Sequence, residues 1–563
     1  MHLHAHLSLW NLRPPYSAQF FRTTCKSWSP LEFRSVLPPN AENWYAFNEK
    51  ENILIAVVCR SVGVKWGNYQ NVLDTIYDLI VLRWNKEAGA LYLYASDYDG
   101  LRSEKMAHAI TDENTQHVSG NPIFNILNNV ELPLVKQLGS SRVGAISFTS
   151  YFGPNVTEGL ASIEKAESEL NNIACLGYEN GERVLWGCTQ RRGKVWQQKA
   201  GSIAEWLRWT AATWAKVITE GEIGSNITRD FLRPVRLRAP RPSHPIAVQW
   251  GEQAQMRFSD KQFVSFGPTE VPLFMVDLEV GTVDAEGFTI RIVTDTAVSE
   301  YRLAIAETLT GGYQHKRTLG PAVRFRKGQD AAILLEEYLQ KDPFIVRYAD
   351  GTYSYNCYHI PANLQAGLFD RQRLETWEWT GIPLNKESMH QARDPQTIQY
   401  RAFEQLRDSY ELVFNDDGCG EAADLICLRE IDDATIRLCL VHCKGAHEGR
   451  ISRDIRNLYT VCGQAQKSIA VRHAGIPRLY QDLRRRQELW VRDGASRFLK
   501  GDMKALAYFK EKSRRTKLDF EVILVQPGVS TKTVTDDSLR LLATTELYLT
   551  KTTQATLRVI VSP

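Results

Sequence analysis

No CxxC pair occurs among the ten cysteines of this 563-residue chain. Scattered through both halves, they argue against a disulfide framework. Cys59, Cys427, Cys439 and Cys443 lie within strand-like runs and read as buried thiols of a reducing compartment, with the cytoplasm as default. Apolar runs such as "NILIAVVC" (52–59) fall far short of the roughly 18 residues that a membrane helix needs. No membrane partner is expected. The N-terminus has no basic segment followed by an apolar stretch, so no signal peptide is read there. The chain also has no GxxxxGK[ST] phosphate loop and no DEAD or DEAH box. ATP hydrolysis by this chain is therefore not expected.

What is present belongs to a soluble globular protein: 43% hydrophobic and 24% charged residues, in a length fit for about three or four domains. Residues 1–231 mix helix and strand. "AGALYLYAS" (88–96), "GERVLWGC" (181–188) and "GKVWQQKAG" (193–201) have strand patterns, while "NVTEGLASIEKAESELNNI" (155–173) and "SIAEWLRWTAATWAKVI" (202–218) have helix patterns. A Pro/Arg-rich linker follows at 232–245. Strand runs dominate 246–389, a β-rich module, and 390–563 alternates helix and strand as an α/β domain. The net charge is only +3, yet 450–517 carries 18 lysines and arginines against 6 aspartates and glutamates. Such a block is either a solvated face or a polyanion-binding surface.

The chemistry concentrates in the last block. "RDPQTIQYRAFEQLRDSY" (393–410) reads as a helix with Asp394 as N-cap and Pro395 in its first turn. Glu404 sits beside its inward stripe of Phe403, Leu406 and Tyr410. Next comes "DDGCGEAADLICL" (416–428), a glycine turn leading into a strand on which Asp424, Ile426 and Leu428 share a face. Asp432 and Asp433 turn the chain into "TIRLCLVHCKG", with Leu438, Leu440, His442 and Lys444 on one face. A lysine ending an apolar strand is costly unless something anionic meets it. The helix pattern of 455–472 then places Gln464 and Lys467 three apart on one side. Carboxylates beside a lysine suit phosphodiester hydrolysis: they hold a hard cation that polarises the phosphate, and the ammonium orients water and balances charge.

These segments resemble the core of the PD-(D/E)xK nuclease superfamily, the restriction-endonuclease-like α/β fold. The resemblance implies Asp424 as the first motif acid, Glu404 as the helix glutamate, Lys444 as the motif lysine and Gln464 as the downstream helix glutamine. It departs at His442, which stands where an acid is expected two residues before the lysine. The implied metal ligands are Asp424, Glu404 and His442, with Glu421 or Asp417 supplying the missing carboxylate. The implied cofactor is Mg²⁺ or Mn²⁺, which imidazole serves unequally. With Gly144–Trp196, "VCGQAQKSI" (461–469) and "FEVILVQPGVS" (520–530), the chain is also similar to the C-terminal part of bacterial superfamily II (DEAD/DEAH-type) helicase proteins, some belonging to phage-defence loci. That similarity implies DNA as substrate, with RNA not excluded, and a separate helicase motor as partner. Its alternative is a nucleic-acid-binding accessory module that has lost full metal binding.

Three further groups bear on function. Lys467, Arg484, Arg485, Arg486, Arg514, Arg515 and Lys517 are candidates for phosphate contacts. Cys427, Cys439, Cys443 and Cys462 make a poor zinc set with His442 or His447, because Cys439 and Cys443 alternate to the face opposite His442. Trp186, Trp196, Trp206, Trp209 and Trp214 suit a core better than a base-stacking surface.

Overall fold

A computed structural model of the chain describes residues 11–12, 15–23, 42–48, 52–63, 73–96, 106–107, 111, 115–142, 148–160, 168–190, 193–219, 231–232, 234–237, 239–251, 262–305, 313–328, 330–355, 358–361, 367–467 and 469–563. The protein is a strand-rich, mixed α/β chain that divides into two compact units. The first comprises 1–141, 147–238 and 306–312; the second comprises 142–146, 239–305 and 313–563. No described helix is long and apolar enough to cross a membrane.

In the first unit eleven described strands form one broad sheet against the helix Ile203–Ile218, and Asn11–Leu12 pairs separately with Gly201–Ser202. Ser202 and Glu205 cap that helix reciprocally, each side chain accepting the other's backbone N–H. Trp206, Trp209 and Trp214 are buried against Tyr16, Phe20 and Tyr92, so these indoles are core. The helix expected over 155–173 is corrected. Among its described residues Val156–Gly159 is helical, whereas those from Ser168 on belong to the strand Ser168–Glu179. Residues 172–179 of that strand pair one for one with 182–189, and this pairing overrides the local helical pattern.

The second unit joins what reads in sequence as a β-rich module and an α/β domain. Asp277–Asp284, Gly287–Val293, Val298–Ile305 and Tyr313–Leu319 form an antiparallel meander. The C-terminal part is a seven-stranded mixed sheet. Its elements are β1 (Leu374–Thr376), α1 (Ile398–Leu406), β2 (Leu412–Asn415), β3 (Leu425–Asp432), β4 (Thr435–Cys443), α2 (Arg456–Lys467), α3 (Ile469–Arg492), β5 (Phe498–Lys500), α4 (Met503–Lys512), β6 (Lys517–Ser530), α5 (Asp536–Thr553) and β7 (Thr556–Ser562). The strand order is β1-β7-β6-β4-β3-β2-β5. β4, β6, β7 and β1 run parallel, while β4-β3-β2-β5 is antiparallel.

The period of two divides this sheet cleanly. Ile426, Leu428, Leu438 and Leu440 pack with Leu458, Val461 and Leu542 of α2 and α5, whereas Cys427, Cys439, Val441 and Cys443 pack with Ile398, Ala402 and Leu406 of α1. The result is three layers around a central sheet. α1 begins later than its sequence suggests: Thr397, not Asp394, is the N-cap, its hydroxyl accepting from the Tyr400 N–H. Asp394 instead caps the preceding turn at the Gln396 N–H. α3 is interrupted at Gly475, whose φ of 73° precedes Pro477.

Candidate active site

The site forms where β3 begins and β4 ends. Leu425 pairs with Val441. Asp424, one residue before β3, therefore lies beside the last residues of β4. Its carboxylate is 1% exposed and accepts from the Cys443 N–H at 2.8 Å and from the Gln399 amide of α1 at 2.6 Å. The Asp416 N–H bonds the Asp424 carbonyl at 3.0 Å and closes the intervening loop. Gly418 (φ 122°) and Gly420 (φ 76°) supply conformations that side-chain-bearing residues rarely adopt. Two buried arginines staple the loop. Arg486 pairs with the Asp416 carboxylate at 2.6 Å and donates to the carbonyls of Asp416 and Cys419. Arg497 donates to the carbonyls of Asn415 and Asp417, both at 3.0 Å.

This folding brings the carboxylates of Asp417, Glu421 and Asp424 within 4.8 Å of one another. Burial, with the negative charge of Glu387 and Asp417, pushes the Asp424 carboxyl up to about 8. Burial and the neighbouring Asp424 and Asp417 raise Glu421 well above the carboxylate range. Three oxygen donors this close fit a small hard cation, because such an ion would offset the charge that disfavours ionisation of Asp424 and Glu421. The Lys444 ammonium lies on the same side and donates to Glu387 at 2.8 Å. The second Glu387 oxygen accepts from the Gly445 N–H at 3.0 Å. Burial works against the Lys444 charge, but Glu387, Asp424 and Glu421 outweigh it and raise its pKa. The anionic partner of the strand-end lysine is thus Glu387.

The other sequence candidates divide. Gln464 reaches this site, its amide donating to Glu421 at 3.4 Å. Lys467 is half-buried and donates to the Leu278 carbonyl. Glu404 is not in the carboxylate group; it is partly exposed and pairs with Arg407 at 3.1 Å, because the helix turns Gln399 toward Asp424 instead. His442 is also outside it. Burial, with Lys467 and Lys444 nearby, lowers its imidazole to about 3, which makes it a neutral core residue at neutral pH. Arg486 is the buried loop staple. Arg484 and Arg514 are exposed and pair with the nearby Glu488 and Glu511, while Arg515 and Lys517 are also exposed. Arg485 is half-buried. Cys427, Cys439, Cys443 and Cys462 are free, buried thiols.

Three contributors lie outside the sequence reading. Glu387 sits in an aperiodic polar stretch, and no pattern ties it to Lys444. Gln399 had a signal: an amide on the inward stripe of α1, four and seven residues from Phe403 and Leu406. Asp277, some 140 residues upstream, accepts from the Gly420 N–H at 2.9 Å. No family model matches the chain, and comparison with the curated proteins and with the solved structures finds no match.

Proposed function

We propose that the C-terminal α/β part is a PD-(D/E)xK-type nuclease that hydrolyses DNA phosphodiesters with a divalent metal, Mg²⁺ or Mn²⁺. The observation that carries this reading is the convergence of Asp417, Glu421 and Asp424 beside the Lys444–Glu387 pair. The order of helix α1, the β3–β4 hairpin, helix α2 and the parallel strand β6 supports this reading. Asp417, Glu421 and Asp424 would hold the metal, with Gln399 orienting Asp424 and Gln464 orienting Glu421. A divalent ion held there polarises the phosphate and acidifies water. Lys444, kept cationic by Glu387, offers its N–H donors to a phosphate oxygen and offsets the charge that develops in the transition state.

A second reading, a nucleic-acid-binding accessory module of a helicase, is favoured by one observation. His442 occupies the motif position of an acid, and it is buried and neutral. Titrating Mg²⁺ and Mn²⁺ against duplex, single-stranded and branched DNA, and against RNA, separates the readings. The nuclease reading expects metal-dependent cutting that Asp424→Asn abolishes. Salt-sensitive binding with no cutting by either metal would leave the accessory module.

A further inference from the structure

The turn that follows Glu387 carries a second functional group. His390 is exposed and non-glycine, yet its φ is 50°, a left-handed conformation that costs free energy unless the surroundings enforce it. Here they do. Gln399, whose amide N–H donates to Asp424, accepts the Met389 N–H through its other end at 2.9 Å. Met389 is fully buried, and its carbonyl accepts the Asp394 N–H at 3.0 Å. One side chain of α1 therefore fixes both the innermost carboxylate and the turn that presents His390.

The hydrogen bonds of Ser388 define the imidazole. Its hydroxyl donates to the Asp417 carboxylate and accepts from the His390 backbone N–H at 3.2 Å. One lone pair remains, and His390 Nδ1 lies 3.2 Å from it. A hydroxyl has a single proton, already given to Asp417, so Nδ1 is the donor in this contact. Nε2 is left at the far side of the ring. Near the imidazole stand Asp394, itself paired with Lys386, and Asp417 through Ser388.

We propose that His390 is the general acid of the phosphodiester cleavage, an inference that rests on the nuclease reading above. Water oxygen bonds to phosphorus and releases its surplus proton to solvent. The bond from phosphorus to the leaving nucleoside oxygen breaks, and that oxygen takes the Nε2 proton of imidazolium. The neutral ring then recovers a proton from solvent. In this reading Lys444 serves a phosphate oxygen and the three carboxylates serve the metal, which leaves the leaving oxygen to the imidazole.

The experiment uses the full chain with Mn²⁺ and two oligonucleotides, one all-oxygen and one carrying sulfur in place of the bridging oxygen that leaves. The variant is His390→Asn, whose amide N–H replaces Nδ1–H toward Ser388 and whose backbone tolerates positive φ, but which has nothing at Nε2. On the oxygen substrate it should cut about 100-fold or more slowly. On the sulfur substrate, whose thiolate leaves unprotonated, it should cut at the wild-type rate within about threefold. An equal loss on both substrates would assign His390 a structural role and overturn the proposal, as would no loss on either. Absence of cutting by the wild-type chain would bring down the nuclease reading, and this proposal with it.

Discussion

A carboxyl group sealed at the mouth of a strand beside two others must keep a proton or find a cation. Asp424 is held up to about 8, while in the unfolded chain it ionises near 4. The folded value is the higher one. Its contribution to metal-free stability is therefore complete below about pH 4 and is lost as pH rises through about 8. A divalent ion must displace the same proton, so Mn²⁺ should raise Tm more at pH 8 than at pH 6. Asp424→Asn should reduce that difference, and a wild-type Mn²⁺ shift that ignores pH would contradict the assignment. Lys444→Ala should slow cutting by about 100-fold or more and leave DNA binding within about twofold; an unchanged cutting rate would remove Lys444 from the chemistry. At this scale the sequence was legible where period two governs. The placing of Leu438 and Leu440 against α2, and of Cys439 and Val441 against α1, follows from alternation alone. Glu387 was not legible, because its contact with Lys444 spans 57 residues and no periodicity encodes a loop's approach.

Elements fix what residues cannot fix alone. The loop between β2 and β3 owes its shape to α3 and β5, through Arg486 and Arg497, and to the upstream meander, through Asp277. Arg486→Ala leaves Asp416 buried and unpaired, and should cost about 3–5 kcal/mol in urea unfolding, whereas exposed Arg484→Ala should stay within about 0.5 kcal/mol. Arg486 illustrates why a basic run misleads. Three successive arginines on a helix point in different directions, and only packing decides which one faces inward. Asp277→Ala should free the Gly420 N–H and weaken Mn²⁺ binding about tenfold, with the loss read by calorimetry and rescued by Asp277→Asn. An Asp277→Ala chain that binds Mn²⁺ as tightly as wild type would make this contact incidental. The helix pattern at 155–173 failed for a related reason. Its last residues belong to the strand Ser168–Glu179, whose pairing with 182–189 outweighs local preference.

For the whole molecule, the charged surface and the buried charges have separate tasks. Arg514 and Arg515 lie outside the core, so replacing both with alanine should weaken DNA binding evenly across sequences and flatten its salt dependence by about 2 in the log–log slope. A slope unchanged by the double substitution would place the polyanion surface elsewhere. The boundary drawn at 390 from composition divides a single unit. Composition registers the change from strand runs to alternating helix and strand, but not which surfaces close over each other. The tightest of these closures is at Gly463, where a β-carbon would stand 2.0 Å from the Ile246 carbonyl oxygen. Helix α2 thus meets the strand Pro245–Gln249 backbone to backbone, with no room for even a methyl group. Transplanting 390–563 as a cassette would carry the carboxylates away and leave behind the surface that this bare turn of helix was cut to fit. A recipient protein would have to offer a ribbon of its own in that slot before the borrowed site could hold an ion.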